Sequence, residues 1–264
     1  MFLNCNGVII MQTVILRRTG IKLSRLGFGT GTHGWGGSSE QTRIGHQKLV
    51  DLLKLAYSYG VTFWDTAEGY GSHPHIADAL KGIDRSSVTI LTKIFSRDGN
   101  YIREAIPKFL KLFNTDYIDI LLMHCITEVD WLKRYTGAID ALKEAKDKGL
   151  VRGIGMSCHD FGALKTVASA DWLDVVLARI NYSDTNMDAK TSNVMPVLKE
   201  IHDAGKDVLA MKVIGQGKLN GDVRKCFKFA MSLPYIDAMT VGMVSEEQLK
   251  ENIYLVNEFA SIKG

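Results

Sequence analysis

The sequence predicts a single (β/α)8 barrel, on three observations. Eight short β-branched and aliphatic runs recur along the chain, about thirty residues apart, which is the length of a βαβ unit. Most are apolar on both faces, as strands buried in a parallel sheet are. The segments between them carry helical periodicity, and no Pro/Gly-rich linker divides the series.

The strands are expected at "LGFGTG" (26–31), "VTFWDTA" (61–67), "VTILTKI" (88–94) and "IDILLMH" (118–124). They continue with "VRGIGMS" (151–157), "VVLARINY" (175–182), "DVLAMKVI" (207–214) and "AMTVGM" (238–243). In the helical segment "WLKRYTGAIDALKEAKDKG", Leu132, Tyr135, Ile139 and Leu142 fall at three- and four-residue spacing, with Gly149 at a C-cap position. Ser245 and Gln248 have the spacing of a capping box before the last helix. Pro107 interrupts "YIREAIPKFLKLF", so that helix is expected either to kink or to start near Ile106. A doubly wound open sheet is the alternative, but eight strands are many for one, and no GxGxxG opens a helix after the first strand.

Composition agrees with one domain. The chain has 264 residues, 46% apolar and 23% charged, close to the globular average. A net charge of +3 with scattered basic residues argues against a nucleic-acid or polybasic membrane surface. No apolar run approaches the ~20 residues of a membrane span. Residues 1–13 are read as an N-terminal extension and 14–264 as the barrel, with Met11 a candidate start; the opening lacks a basic n-region, and Asn4 and Asn6 break its apolar run. Cys5, Cys125, Cys158 and Cys226 show no metal-ligand spacing. Reduced thiols and a cytoplasmic location are the expectation.

A barrel of this type carries its chemistry at the C-terminal strand ends. There the sequence places Asp65 with Tyr70 following, then Lys93, His124, and Ser157 with Cys158. Each has an ordinary structural reading: a turn-capping acid, a packed aromatic, a snorkelling lysine, a core histidine. Together those readings weaken, because Asp65, Lys93 and His124 end buried runs where charge is costly without a partner. A lysine ammonium ~4 Å from a phenol, at an effective dielectric of ~20, favours the phenolate by about 4 kcal/mol, roughly 3 pK units. An aspartate on that lysine keeps it charged, at the expense of part of the shift. With an imidazole to orient a carbonyl oxygen, these groups suit protonation of that oxygen while something else attacks the carbon.

The ordered set "LRRTGIKLSRLGFGTGTHGWGG", "VTFWDTAEGYGSH", "LTK", "TDYIDILLMHC" and "VRGIGMS", with a late "GMVSEEQLKENI", resembles the aldo-keto reductases over about residues 14–257. The resemblance implies NADPH- or NADH-dependent reduction of aldehydes and ketones without a metal, with a tetrad at Asp65, Tyr70, Lys93 and His124. Cofactor contacts are implied at Gly29, Thr30 and Gly31, at Ser157 and Cys158, and at Arg179 where many members have glutamine. In place of a "YSPLG"-like segment the chain has "MKVIG", so Met211 would face the nicotinamide and Lys212 could reach a phosphate, followed by Gly215, Gly217 and Lys218. Gly242, Met243 and Gln248 stand where NADPH-preferring members hold a 2′-phosphate, and Glu251 and Asn252 would serve the adenine. Lys218, Lys250 or Arg224 could substitute on that phosphate. The expectation is that NADH is used comparably with NADPH, or that NADPH is preferred less than the family norm.

For the substrate, a small carbonyl compound, Trp35, Tyr70, His124 and Cys125 are the expected lining, with His33, and with Trp64 facing either the pocket or the barrel wall. The short end after "EN" suggests an open pocket. His73 and His75 in "SHPH" are read as a turn into a helix and not as metal ligands. Two other functions stay open: Schiff-base chemistry on Lys93 or Lys212, and a non-catalytic cofactor sensor. Oligomeric state is not legible.

Overall fold

A computed structural model describes residues 11–260; residues 1–10, most of the expected extension, lie outside it. The chain opens with a hairpin that the periodicity did not announce, β1 (Thr13–Ile15) paired antiparallel with β2 (Lys22–Ser24). Eight parallel strands then close a barrel: β3 (Leu26–Gly29), β4 (Phe63–Asp65), β5 (Thr89–Ile94), β6 (Ile118–Ile126), β7 (Val151–Cys158), β8 (Val175–Arg179), β9 (Asp207–Met211) and β10 (Ala238–Gly242). Closure is made by β10 against β3, with Gly242 level with Gly29. All eight runs read from the sequence are strands of this barrel. Where several end earlier than expected, the remaining residues have turned into the loops that form the site.

Alternation along each strand divides the core into two. Phe63, Leu91, Ile120, Leu122, Leu177 and Leu209 fill the barrel, and Leu16, Ile21 and Leu23 of the hairpin segment join them, so the hairpin plugs the barrel's N-terminal end. The alternate residues, Trp64, Ile90, Leu121 and Met156 among them, pack outward against the helices. Burying a Leu, Ile or Phe side chain is worth roughly 1.5–3 kcal/mol, so the two layers fix which face each strand shows. The N-terminal face is tied by aspartates at strand starts: Asp119 accepts from Ile90 N (3.0 Å), Asp174 from Ile154 N (3.0 Å), Asp237 from Val208 N (2.7 Å) and Asp207 from Arg17 N (2.8 Å). These bonds satisfy backbone donors at that face.

The helices are α1 (Glu40–Arg43), α2 (His46–Ser58), α3 (His73–Ala79), α4 (Gly99–Phe113), α5 (Trp131–Arg134), α6 (Thr136–Asp147), α7 (Phe161–Lys165), α8 (Thr191–Asp203), α9 (Val223–Ser232) and α10 (Glu246–Ala260). Helix α4 starts at Gly99, not near Ile106, and runs through Pro107. Pro107 and Arg103, whose carbonyl loses its partner, are both exposed, so water can take the place of the missing N–H. Helix α6 ends before Gly149, which adopts φ 72°. At α10 the capping box is only half made: Ser245 Oγ accepts from Gln248 N, while Gln248 reaches back to Val244 N.

Candidate active site

Strand alternation aims the predicted residues. Phe63 points into the barrel, Trp64 outward and Asp65 inward, so Trp64, fully buried and donating to the Val61 carbonyl at 3.1 Å, does not line the pocket. Asp65, Lys93 and His124 rise from neighbouring strands β4, β5 and β6 into one cavity of about 660 Å3, and Tyr70 joins them from the short 3-10 turn Glu68–Tyr70. The phenol ring is wedged against two glycines of the β3–α1 loop: a Cβ on Gly31 would stand 2.0 Å from its Cε2, and one on Gly34 would stand 2.4 Å from its Cδ1. Gly69, next to Tyr70 in sequence, has open space around it, so the glycines that make room for the phenol are those of the β3–α1 loop.

The polar geometry is closely specified. The Lys93 ammonium pairs with Asp65 Oδ1 and donates to the Thr66 carbonyl at 2.7 Å, and it lies 4.8 Å from the centre of the Tyr70 ring. The other Asp65 oxygen accepts from Thr240 Oγ1 at 2.9 Å. Tyr70 Oη and His124 Nε2 are 3.2 Å apart. Burial raises the Tyr70 pKa and outweighs the lowering by Lys93, part of which Asp65 cancels. This corrects the expected net shift: the phenol stays protonated at neutral pH, the state a proton donor needs. Burial, then repulsion by Lys93, Arg97 and Lys212, pushes His124 down to about 3, so its imidazole is neutral. Lys93 is raised overall: burial alone would lower it, but Asp65 and Tyr70 hold it charged.

A buried hydroxyl chain holds the phenol's loop to the strand ends. Thr30 Oγ1 donates to the Asp65 carbonyl (2.8 Å), which leaves Ser72 to donate to Thr30 (2.7 Å) and Thr66 to donate to Ser72 (2.7 Å). Thr30 is thereby turned away from the cavity, against the expected cofactor contact. His73 is committed to Thr92 Oγ1 at 2.8 Å, and His75 stacks on His46 with ring centres 4.3 Å apart. Arg97 donates to the carbonyls of His124 (2.6 Å) and Cys125 (3.1 Å), fixing the end of β6, where Cys125 adopts φ 59°.

The cavity continues as a trough away from these groups. Of the expected cofactor residues, Gly29, Gly31, Asp65, Ser157, Met211, Lys212, Gly217, Gly242, Gln248, Glu251 and Asn252 line it. The others do not. Cys158 points outward, its thiol donating to the Asp160 carbonyl (3.1 Å) and pushed up to about 12 by burial. Arg179 is spent on Asp188 (2.7 Å) and His159 Nδ1 (2.6 Å). Gly215 and Met243 are packed in the core-facing side of their loops, and Lys218 reaches Asn186 at 3.3 Å. Ser157 Oγ accepts from Cys125 N at 2.7 Å. For the substrate end, Trp35, His33 and Cys125 line the cavity as expected, with Trp35 69% exposed at its mouth and set edge-on to Phe95 (5.3 Å). Sequence reading missed Thr240, Phe95, Gly34 and His159. Thr240 was findable, since it shares the inward phase of Ala238 on β10; the other three sit in loops, where no periodicity applies.

The trough fits an extended dinucleotide: its inner end has the titratable groups, its wall the turning backbone of Gln216 (φ 56°) and Gly217 (φ 87°), and its far end neutral amides with Glu251. The three candidate phosphate partners are engaged elsewhere, Lys218 as above, Arg224 with Glu258 and Lys250 with Glu246.

A family model described as "Aldo/keto reductase family" matches residues 25–229. The "NADH-specific methylglyoxal reductase" of Escherichia coli (strain K12) is 26% identical over 238 residues, covering 81% of this chain and 71% of that protein. The "Aldo-keto reductase YhdN" of Bacillus subtilis (strain 168) is 29% identical over 207 residues, covering 72% of this chain and 59% of that one, so this chain spans less than two thirds of its length. A solved aldo-keto reductase structure from Pseudomonas aeruginosa superposes with a TM-score of 0.79 at 23% identity, over 94% of this chain and 95% of that one, a likeness of fold.

Proposed function

The chain belongs to the aldo-keto reductase family, and we propose that it reduces the carbonyl of a small aldehyde or ketone to an alcohol with Tyr70 as the proton donor. The observation that carries this reading is the Tyr70 phenol held between the Lys93–Asp65 pair and His124 in one cavity. The nicotinamide cofactor, when bound, supplies hydride to the carbonyl carbon. Gly29, Gly31, Ser157, Met211 and Gly217 would hold its inner half, and Gln248, Glu251 and Asn252 its adenosine half.

The chain's own groups account for the proton. His124 Nε2 lies beside the phenol oxygen and orients the carbonyl oxygen toward it. As negative charge develops on that oxygen, Tyr70 gives up its proton, and the phenolate is stabilised by the Lys93 ammonium across a site of low dielectric. Asp65 keeps Lys93 charged, and Thr240 keeps Asp65 in place. Trp35 and Phe95 offer an apolar wall at the mouth.

The absence of a cation among the residues lining the far end, where Glu251 stands instead, supports use of NADH at least as well as NADPH. The similarity to an NADH-specific methylglyoxal reductase favours a short, polar carbonyl compound. A Schiff base on Lys93 is opposed by the direction of its pKa shift, which keeps the amine protonated. The test is a panel of aldehydes, ketones and sugars with each reduced cofactor, followed at the absorbance of the nicotinamide. Consumption of NADH by at least one aldehyde is expected; no consumption of either cofactor across the panel, with cofactor binding intact, would favour the sensor reading, and a hundredfold preference for NADPH would overturn the cofactor assignment.

A further inference from the structure

We infer that the inner end of the cavity contains an anion subsite, built on Lys212 and His159, that takes a carboxylate carried by the carbonyl substrate. The inference rests on the reductase reading and names the substrate class of that site. It begins with a charge balance. Of the cationic groups at this end, Lys93 is matched by Asp65 and Arg179 by Asp188 (2.7 Å), while Arg97 is spent on backbone carbonyls. Lys212 is left over. Its ammonium makes no ion pair or hydrogen bond among the described residues, although it lines the cavity and is half-buried. An ammonium partly removed from water without a hydrogen-bond acceptor is unfavourable, and its pKa falls to about 8 because burial and repulsion by Arg179 outweigh the attraction of Asp188.

The backbone directs this side chain inward. Lys212 adopts φ 56°, and its carbonyl is fixed by Gly215 N (2.9 Å) and Asn181 Nδ2 (3.2 Å). Lys212 and His159 both line the cavity, and the His159 ring lies 6.5 Å, centre to centre, from that of His124, which puts His159 at the chemical end of the trough. His159 supplies the second donor. Its Nδ1 accepts from Arg179 Nη2 at 2.6 Å, so the ring proton is on Nε2, for which no described residue is an acceptor. Burial and the surrounding cations push His159 down to about 2, so it stays a neutral donor. An ammonium and an imidazole N–H without acceptors, a few side chains from the proton donor, match a carboxylate better than an alkyl or hydroxylated tail.

The probes are butanal and 4-oxobutanoate, equal in chain length and differing in a terminal carboxylate. The readout is the ratio of their kcat/KM values, which general damage to the enzyme does not move. A charge-assisted contact of this type gives the wild type a ratio of about tenfold or more in favour of 4-oxobutanoate, falling to about one in Lys212→Met and recovering in part in Lys212→Arg. A wild-type ratio near one, or a ratio unchanged in Lys212→Met, overturns the subsite. So does a tenfold loss of NADH affinity in Lys212→Met with the ratio intact, which would assign the lysine to a cofactor phosphate. Binding of 4-hydroxybutanoate by calorimetry reads the subsite without turnover. If neither aldehyde is reduced, calorimetry decides: binding that depends on Lys212 supports the subsite and its absence removes it, while the reductase reading is judged on the full carbonyl panel.

Discussion

Replacing Gly34 by alanine tests the placement of the phenol with the least chemical change. Gly34 has no positive φ, so an added methyl group introduces contact and not backbone strain. That methyl would stand 2.4 Å from Tyr70 Cδ1, about 1.1 Å short of the ~3.5 Å at which carbon atoms pack. The ring cannot retreat freely, because Gly31 lies against its Cδ2–Cε2 edge, Lys93 Nζ stands 4.8 Å from its centre and His124 Nε2 is 3.2 Å from its oxygen, so the phenol or the loop must shift by about an ångström. A displacement of that size at a reacting group costs on the order of a hundredfold in rate. The assay is kcat for the best aldehyde of the panel at saturating NADH, with circular dichroism to show that the variant is folded. Gly69→Ala is the control: it is adjacent to Tyr70 in sequence but has nothing within 4 Å, and its kcat should stay within about twofold of wild type. The double variant Gly34→Ala/Tyr70→Phe should be no slower than Tyr70→Phe alone, since both act on one hydroxyl. A Gly34→Ala enzyme within threefold of wild type would refute the wedge and with it the stated geometry of the donor.

Two further predictions follow from the same framework. Ser72→Ala removes the middle of the Thr66–Ser72–Thr30 chain and should lower stability by about 1–2 kcal/mol, seen as a drop of several degrees in Tm, with kcat reduced several-fold and NADH affinity unchanged; unchanged Tm and kcat would mean that the chain positions nothing. The pKa values of His73 (about 4), His124 (about 3) and His159 (about 2) are depressed mainly by burial, so between about pH 4 and 6.5 the unfolded chain binds protons that the folded one does not. Stability contributed by keeping these rings neutral is complete above pH 6.5 and is lost on acidification, by at most about 4 kcal/mol per pH unit for three protons. Urea unfolding at pH 7, 6 and 5 should show the midpoint falling; a flat or rising midpoint contradicts the sign.

The barrel was legible because its strands are buried on both faces and therefore read as apolar runs at a regular interval. The convergence of Asp65, Lys93 and His124 on one cavity was legible for a related reason: they are polar residues ending apolar runs, which burial makes conspicuous. The hairpin at residues 13–24 was not, because three-residue strands give too few positions for a period. The net shift at Tyr70 was misjudged because a sequence names the charges around a phenol and not how deeply it is buried. Cofactor positions transferred unevenly. Gly29, Gly31 and Gly217 line the trough through their backbone, whereas Thr30, Cys158 and Arg179 depend on which way a side chain turns and found protein partners instead. Gly34 and His159, both of consequence for the site, sit in loops where proximity is set by tertiary packing alone.

The most direct test of the central assignment is reduction of an aldehyde by cofactor carrying deuterium at both C4 positions, comparing wild type with Tyr70→Phe. The account predicts one deuterium on the carbinol carbon of the product in the wild type, and a fall in kcat of at least about a hundredfold in the variant, since a positioned acid contributes 10²–10⁴-fold, with cofactor affinity retained. Undiminished turnover in Tyr70→Phe, or product formed without deuterium, would contradict it.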